Sequence, residues 1–462
     1  MLTDHIEKYI RAHGFKGYTE IRAQCNSSKR FGLLKGTMVS NSAATSRGIS
    51  ARVVKNGAYG FASGNDFSAD GVSAIVRAAG ENAAFLEARE KPGKPDFAPV
   101  EAVKRKDGFE AEDDVPRRHY ADFAGELDAY IAKKYPGLSS RYIGVSSLNM
   151  EKLLYTSDGT AAHSYTPRSS LYIGMTAEDP DGQPVDLFES MGDWGKFTDV
   201  FRSPEEVFAK ADELFEKLMK KREGVYAAPG LRQVILHPDL AGMLAHEAVG
   251  HTVEADFVLS GSVGGPCLGK QVASGIVTMT DFANTAFGKR CPVPVYVDDE
   301  GTPAEDAVLI RDGILVGYMH NKESAAHFGV RPTGNARAYS FSDEPLIRMR
   351  NTCILPGHDK LSDMIASVDD GYYLVSTGNG QADATGEFMF GIEFGYEIKK
   401  GKLGRAIKNT TISGVAFEML KTVDMLSNDI SWCCTGMCGK KQPIPVGMGG
   451  PAIRCMANIG GR

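Results

Sequence analysis

The sequence predicts an α+β fold, with a mixed α/β N-terminal half followed by a β-rich C-terminal half. Three observations carry this reading. Helical apolar periodicity and strand-like alternation are interleaved as far as residue 225. The stretch "AAPG" (227–230) then breaks the pattern. Beyond it, short β-like segments punctuated by glycine dominate. The reading divides the chain into 1–225 and 226–462, with a sub-boundary near 92–115.

Residues 2–13 read as a short amphipathic helix. From Tyr18 to Gly64 the residues alternate as strands do, and Asn56-Gly57 has the composition of a tight hairpin turn. A helix is expected over 66–90, ending before Pro92-Gly93. The Pro- and charge-rich stretch 92–115 reads as a linker, and a helix follows at about 116–134. Strands are expected between Tyr142 and Glu189, separated by the turn signals "SDGT" and "DPDGQP". The clearest helix is 203–224, with a Ser203-x-x-Glu206 capping box, a helical apolar period and a basic end. "RQVILHP" (232–238) reads as a strand feeding a helix that opens near Pro238. "ILVGYM", "DGYYLVSTG" and "EFGYEIKKGKLG" are the β-like segments of the C-terminal half.

Bulk properties narrow the function. At 462 residues, with 42% hydrophobic and 24% charged residues, the chain can bury large cores in two or three domains. A net charge of −6 and the lack of Lys/Arg runs argue against nucleic-acid binding. No eighteen consecutive apolar residues occur, so no membrane-spanning helix is expected. The N-terminal residues mix acids and bases without an apolar core, unlike a signal peptide. Eight cysteines are too sparse for a disulfide scaffold, and a reduced, cytoplasmic setting is expected.

The chemistry concentrates in "HEAVGHTVEADF", where His246 and His251 flank Glu247 in an H-E-x-x-x-H pattern. Hydrolytic zinc needs neutral imidazoles, an open position for water and a carboxylate to take its proton. On an ideal helix, residues five apart differ by roughly 140° around the axis, so these two histidines would diverge. A π-bulge or a helix end around Val249–His251 would bring them together, and Gly250 would make either easy. Taken alone, the pattern also reads as a helix with two ordinary histidines. A third ligand is required, and the residues offer Glu254, Asp256 or a distant cysteine. Cysteines gather late in the chain, at Cys433, Cys434, Cys438 and Cys455, and Cys438 stands in a turn-like setting before Gly439-Lys440. "GGPCLGK" (264–270) imitates a phosphate loop, but Gln271 replaces the hydroxyl that magnesium needs, so no nucleotide site is expected.

With these pieces in view, the chain resembles the TldD/PmbA family of metallopeptidases. The resemblance rests on "HEAVGHTVEADFV", "HNKESAAHFGVRPTGNARAY", "RMRNTCILPG", "GNGQADATGEFMFGIEFGYEIKKGKL" and "CGKKQPIPVGMGGPAIR", in that order over about 230–462. It implies that His246, His251 and Cys438 bind one Zn2+ and that Glu247 is the general base, as in the metal-bearing, TldD-type members. It also implies peptide or unfolded-polypeptide substrates and a dimer, either of like chains or with a metal-free relative. One departure is "CGKKQ", where many relatives have glycine before the glutamine; this leaves the substrate-facing turn open. Two functions follow for testing: a zinc-dependent peptidase, or a non-catalytic partner or scaffold with a structural zinc. Three donor atoms within roughly 3–4 Å of one another are expected if the ligand set is right. A recessed site is also expected, flanked by the glycine-rich stretches 260–266, 376–380 and 446–450.

Overall fold

The computed structural model describes residues 6–10, 14–15, 17–89, 97–111 and 115–460. The N-terminal half is built on a sheet of β1 (Tyr18–Leu34), β2 (Thr37–Lys55), β3 (Ala58–Gly64), β4 (Lys104–Asp107), β5 (Ser140–Thr156), β6 (Ala161–Glu178) and β7 (Pro184–Trp194). Its order is β3-β2-β1-β5-β6, with β4 and β7 both pairing with β6. The Asn56-Gly57 turn joins β2 to β3, both residues having positive φ (48° and 80°), as a two-residue hairpin requires. The helix Ala69–Glu87 lies directly on β3. A Cβ at Gly60 would come within 2.2 Å of the Ala79 carbonyl, so only glycine permits this approach.

The helices Arg117–Lys134 and Glu205–Arg222 bury their apolar faces against β5, β6 and β7. They are fastened to each other by two aromatic stacks, Tyr130 on Phe208 and Tyr135 on Phe215, each with ring centroids 3.8 Å apart. The expected Ser203–Glu206 capping box does not form. The helix starts after Pro204 without a side-chain cap, because proline already presets the first turn. Of the helix expected over 2–13, residues 6–10 are helical and the rest lie outside the described residues. The linker reading of 92–115 is corrected in part. Lys104–Asp107 pairs in parallel with Ala161–Ser164, extending the sheet, while 92–96 and 112–114 lie outside the described residues.

In the C-terminal half the β-like segments are longer than expected. Asp370–Ala382 and Glu387–Lys399 are thirteen-residue strands. They join β8 (Gly230–Leu236), Ile453–Ile459 and Thr410–Val415 in a sheet that closes on itself, since Asp370–Ala382 pairs with both β8 and Glu387–Lys399. A second sheet runs from Ile314–Leu315 through Ala307–Arg311, Met279–Phe282, Asn351–Ile354 and Gly447–Gly450 to Ser431–Cys433. The helix Pro238–Met243 packs between strands of the two sheets, where its apolar residues join the main core. No described helix is long and apolar enough to cross a membrane. All eight cysteines are free.

The two halves are pinned by buried polar groups. Gln24 and Asn26 both donate to the Tyr339 carbonyl at 2.6 Å, and Lys152 reaches Asp299 at 2.6 Å. Arg52 of β2 bridges Glu20 at 2.9 Å and Glu300 at 2.7 Å. The C-terminal half is therefore seated on the face of the N-terminal sheet by charge-assisted bonds.

Candidate metal centre

His237 caps the helix Pro238–Met243, its Nδ1 accepting from the Asp239 amide, and Pro238 occupies the first turn. From Leu244 to Gly250 the chain winds as a π-helix, and His251–Val253 then tightens to a 3-10 turn. The distortion expected near 249–251 thus begins earlier and covers the whole H-E-x-x-x-H stretch. Bonding over five residues turns the two imidazoles to one side, their centroids 5.3 Å apart and their planes at 78°.

Gly250 serves this turn differently from the sequence reading. Its backbone is ordinary right-handed helix (φ −53°, ψ −49°), so conformational freedom is not what it contributes. A Cβ there would lie 2.1 Å from the Met349 sulfur, so glycine is needed for space. Gly242, eight residues earlier, lets the helix rest on the backbone of Met448 and Gly449; an added Cβ would approach within 2.8 Å. The stretch 446–450, expected to flank the site, is mostly the buried strand Gly447–Gly450 on which this helix sits.

Cys438 arrives from almost two hundred residues further along. It lies on the short strand Met437–Cys438, paired with Ile444–Pro445. The buried Arg348 guanidinium ties both ends of the intervening turn, donating to the Cys438 carbonyl at 2.8 Å and the Gln442 carbonyl at 2.9 Å. Lys441 in that turn has φ 55°, a conformation that glycine adopts with least strain. This is the position at which the resemblance described above implies glycine.

The structure brings His246, His251 and Cys438 together, with one donor atom of each within 4.8 Å of the others, a looser cluster than the spacing expected. The Cys438 sulfur is 3.4 Å from His251 Nε2. His246 is fully buried, and neither of its ring nitrogens has a hydrogen-bond partner. Burial opposes ionisation of the Cys438 thiol, but the two imidazoles beside it prevail and hold it down to about 3. For His251, burial disfavours the charged form, yet the Glu254 carboxylate and Cys438 raise it to about 10. Two imidazoles and a thiolate form a donor set suited to zinc, and such an ion would give the buried His246 imidazole the partner it otherwise lacks.

Glu247 is half-buried beside the same cluster, 3.9 Å from His246 Nε2 and 3.7 Å from His251 Nε2. The two carboxylates offered by the sequence as alternative ligands are engaged elsewhere. Glu254 is fully buried and bonds His251 Nδ1, the nitrogen facing away from Cys438, at 2.8 Å; it also meets Lys440 at 3.2 Å. Asp256 pairs with Lys440 at 2.7 Å. Glu254, which the sequence offered as an alternative ligand, here supports His251, a pairing that its position three residues further along a helix allows. His320 bonds the Ser324 hydroxyl at 3.1 Å, His327 packs edge-on against Phe328, and Arg337 donates to the carbonyls of Met349 and Pro445. All three have structural partners.

Family models described as PmbA/TldA metallopeptidase domain 1, central domain and C-terminal domain match residues 19–83, 110–222 and 229–461. The chain belongs to the TldD/PmbA metallopeptidase family. A metalloprotease TldD homolog of Haemophilus influenzae is 31% identical over 96% of this chain and 93% of its own. A zinc metalloprotease TldD homolog of Saccharolobus solfataricus is 31% identical over 69% of this chain and 71% of its own. Among solved structures, TldE from Thermococcus kodakarensis superposes with a TM-score of 0.79 over 99% of both chains at 16% identity, a likeness of fold.

Proposed function

We propose that the chain is a zinc-dependent peptidase that hydrolyses peptides or unfolded protein segments, binding one Zn2+ through His246, His251 and Cys438. The observation that carries this reading is the convergence of three donor atoms around a buried histidine with no other partner. Zinc held there would supply a Lewis acid for a peptide carbonyl and lower the pKa of water. Glu247, beside both imidazoles, takes the proton from the attacking water and returns it to the leaving amine. Glu254 holds His251 by Nδ1, so that Nε2 is the nitrogen left for metal.

A structural zinc is normally closed by four protein ligands. Only three donors converge among the described residues, which favours catalysis over the scaffold reading. In this reading the region 226–462 carries the chemistry, 1–225 supports it, and the enzyme works in the cytoplasm. In the same reading the chain works as a dimer, of two like chains or with a metal-free relative, as the family resemblance implies. The test compares the wild type with Glu247→Gln for zinc content and for cleavage of a mixed peptide pool. Both proteins should hold one zinc per chain, and only the wild type should cleave. Zinc in both with cleavage by neither would establish the scaffold.

A further inference from the structure

A cavity of about 230 Å³ lies where the N-terminal sheet meets the C-terminal half. Arg168 of β6 lines it and is only 8% exposed. Both terminal nitrogens of its guanidinium are buried without a hydrogen-bond partner. A buried guanidinium is strongly unfavourable unless an anion meets it. The acids around the cavity are already engaged. Asp107 pairs with Arg105 at 2.8 Å, Glu110 with Arg290 at 3.4 Å and Asp299 with Lys152 at 2.6 Å, while Asp298 accepts the amides of Glu300 and Thr302. Asp193, an acid in electrostatic reach of Arg168, is exposed and accepts the Trp194 amide at 2.7 Å. Cys434 is no counter-ion either, since burial pushes its thiol up to about 12. Arg290, stacked on Trp194 at 3.8 Å, and Lys106 add positive charge to the wall.

The cavity adjoins the candidate metal centre. Pro445 lines it and pairs with Met437, the neighbour of Cys438. Cys433, in electrostatic reach of Arg168, precedes Cys438 by five residues, a span of at most about 17 Å. We propose that this cavity is a carboxylate-binding subsite, in which Arg168 clasps a carboxylate of the peptide substrate within about five residues of the bond that is cut. The planar guanidinium fork suits bidentate carboxylate recognition. The carboxylate comes from the peptide's C-terminus or from an acidic side chain. This subsite deepens the peptidase reading and rests on it.

The test measures binding without turnover, using the full chain with Glu247→Gln and tryptophan fluorescence, for which Trp194 is a built-in reporter. Three probes of seven alanine and serine residues are compared: one with a free C-terminal carboxylate, one amidated with a single internal aspartate, and one amidated without acid. At least one acid-bearing probe should bind at least about tenfold more tightly than the acid-free probe, the factor a charge-assisted pair readily supplies. The probe that gains identifies the source of the carboxylate. Adding Arg168→Met should abolish the preference while keeping the melting temperature, because it removes an unpaired buried charge. Should that variant misfold, Arg168→Lys, which keeps the charge and loses the fork, should weaken the preference. Equal affinity for all three probes, or a preference unchanged by either Arg168 variant, overturns the subsite. A retained preference in a protein whose wild type cleaves nothing would instead defeat the peptidase reading and leave the subsite standing.

Discussion

The backbone amide of His251 hydrogen-bonds to the carbonyl of His246, five residues earlier, so the two imidazoles share one side of the helix through the backbone itself. The turn that makes this bond fits only because Gly250 leaves room for Met349. Gly250→Ala should therefore destabilise the chain by about 1–3 kcal/mol, the usual range for overpacking, although alanine is the better helix former by about 1 kcal/mol. Urea unfolding checks the sign. A neutral or stabilised variant would mean that Met349 moves aside and that the wide turn does not depend on this glycine.

Loss of a ligand and loss of its support should differ in size. Glu254→Gln keeps a hydrogen bond to His251 but loses its charge, and zinc affinity should fall about 10- to 100-fold. Cys438→Ser removes a donor outright and should lower affinity by more than that. Competition with a chromogenic chelator measures both. If Glu254→Gln costs as much as Cys438→Ser, Glu254 is itself a ligand in the loaded protein.

Asp281 and Arg350 form an ion pair at 2.8 Å with both side chains fully buried. Asp281 also accepts from the amides of Arg350 and Asn351 and from the Asn335 side chain. Asp281→Ala would strand the guanidinium and should cost about 3–5 kcal/mol. Denaturant unfolding of this variant measures that cost directly. A loss below about 1 kcal/mol, typical of exposed pairs, would show that water reaches the site.

His320 provides a pH signature. Burial lowers its pKa from 6.5 to about 4, so between those values the unfolded chain binds more protons than the folded one. Stability contributed by this residue is full above about pH 6.5 and is lost as the pH falls toward 4. The whole loss is about 3 kcal/mol at 1.36 kcal/mol per pH unit. The difference in unfolding free energy between wild type and His320→Gln should change across that window and stay flat above it. A flat difference at all pH values would place His320 in contact with water.

The hairpin at Asn56-Gly57 and the three long N-terminal helices were legible because period and turn chemistry are local properties. Lys104–Asp107 was not, since its highly charged sequence forms a strand only by borrowing an edge from β6. The His246–Glu247–His251 stretch announced itself, and the wide turn followed from its spacing. Cys438 could be tied to it only through resemblance, because nothing local relates residues so far apart. Arg168 carried no signal at all. Its interest comes from lacking a partner, which a sequence cannot display.

The closed sheet of the C-terminal half has a consequence for when the protein acquires its shape. Ile453–Ile459 lies between β8 and Thr410–Val415, so the ring stays open until residue 459 has been made. At about 5–20 residues per second, a ribosome needs on the order of ten to forty seconds to proceed from β8 to that strand. For most of this interval β8, which leads straight into the helix of His246 and His251, has neither neighbour, and after Asp370–Ala382 is made it still lacks Ile453–Ile459. A nascent chain therefore cannot bring its histidines and Cys438 together early. Whatever reactivity the assembled cluster possesses is withheld until the strand ending at residue 459 closes the ring.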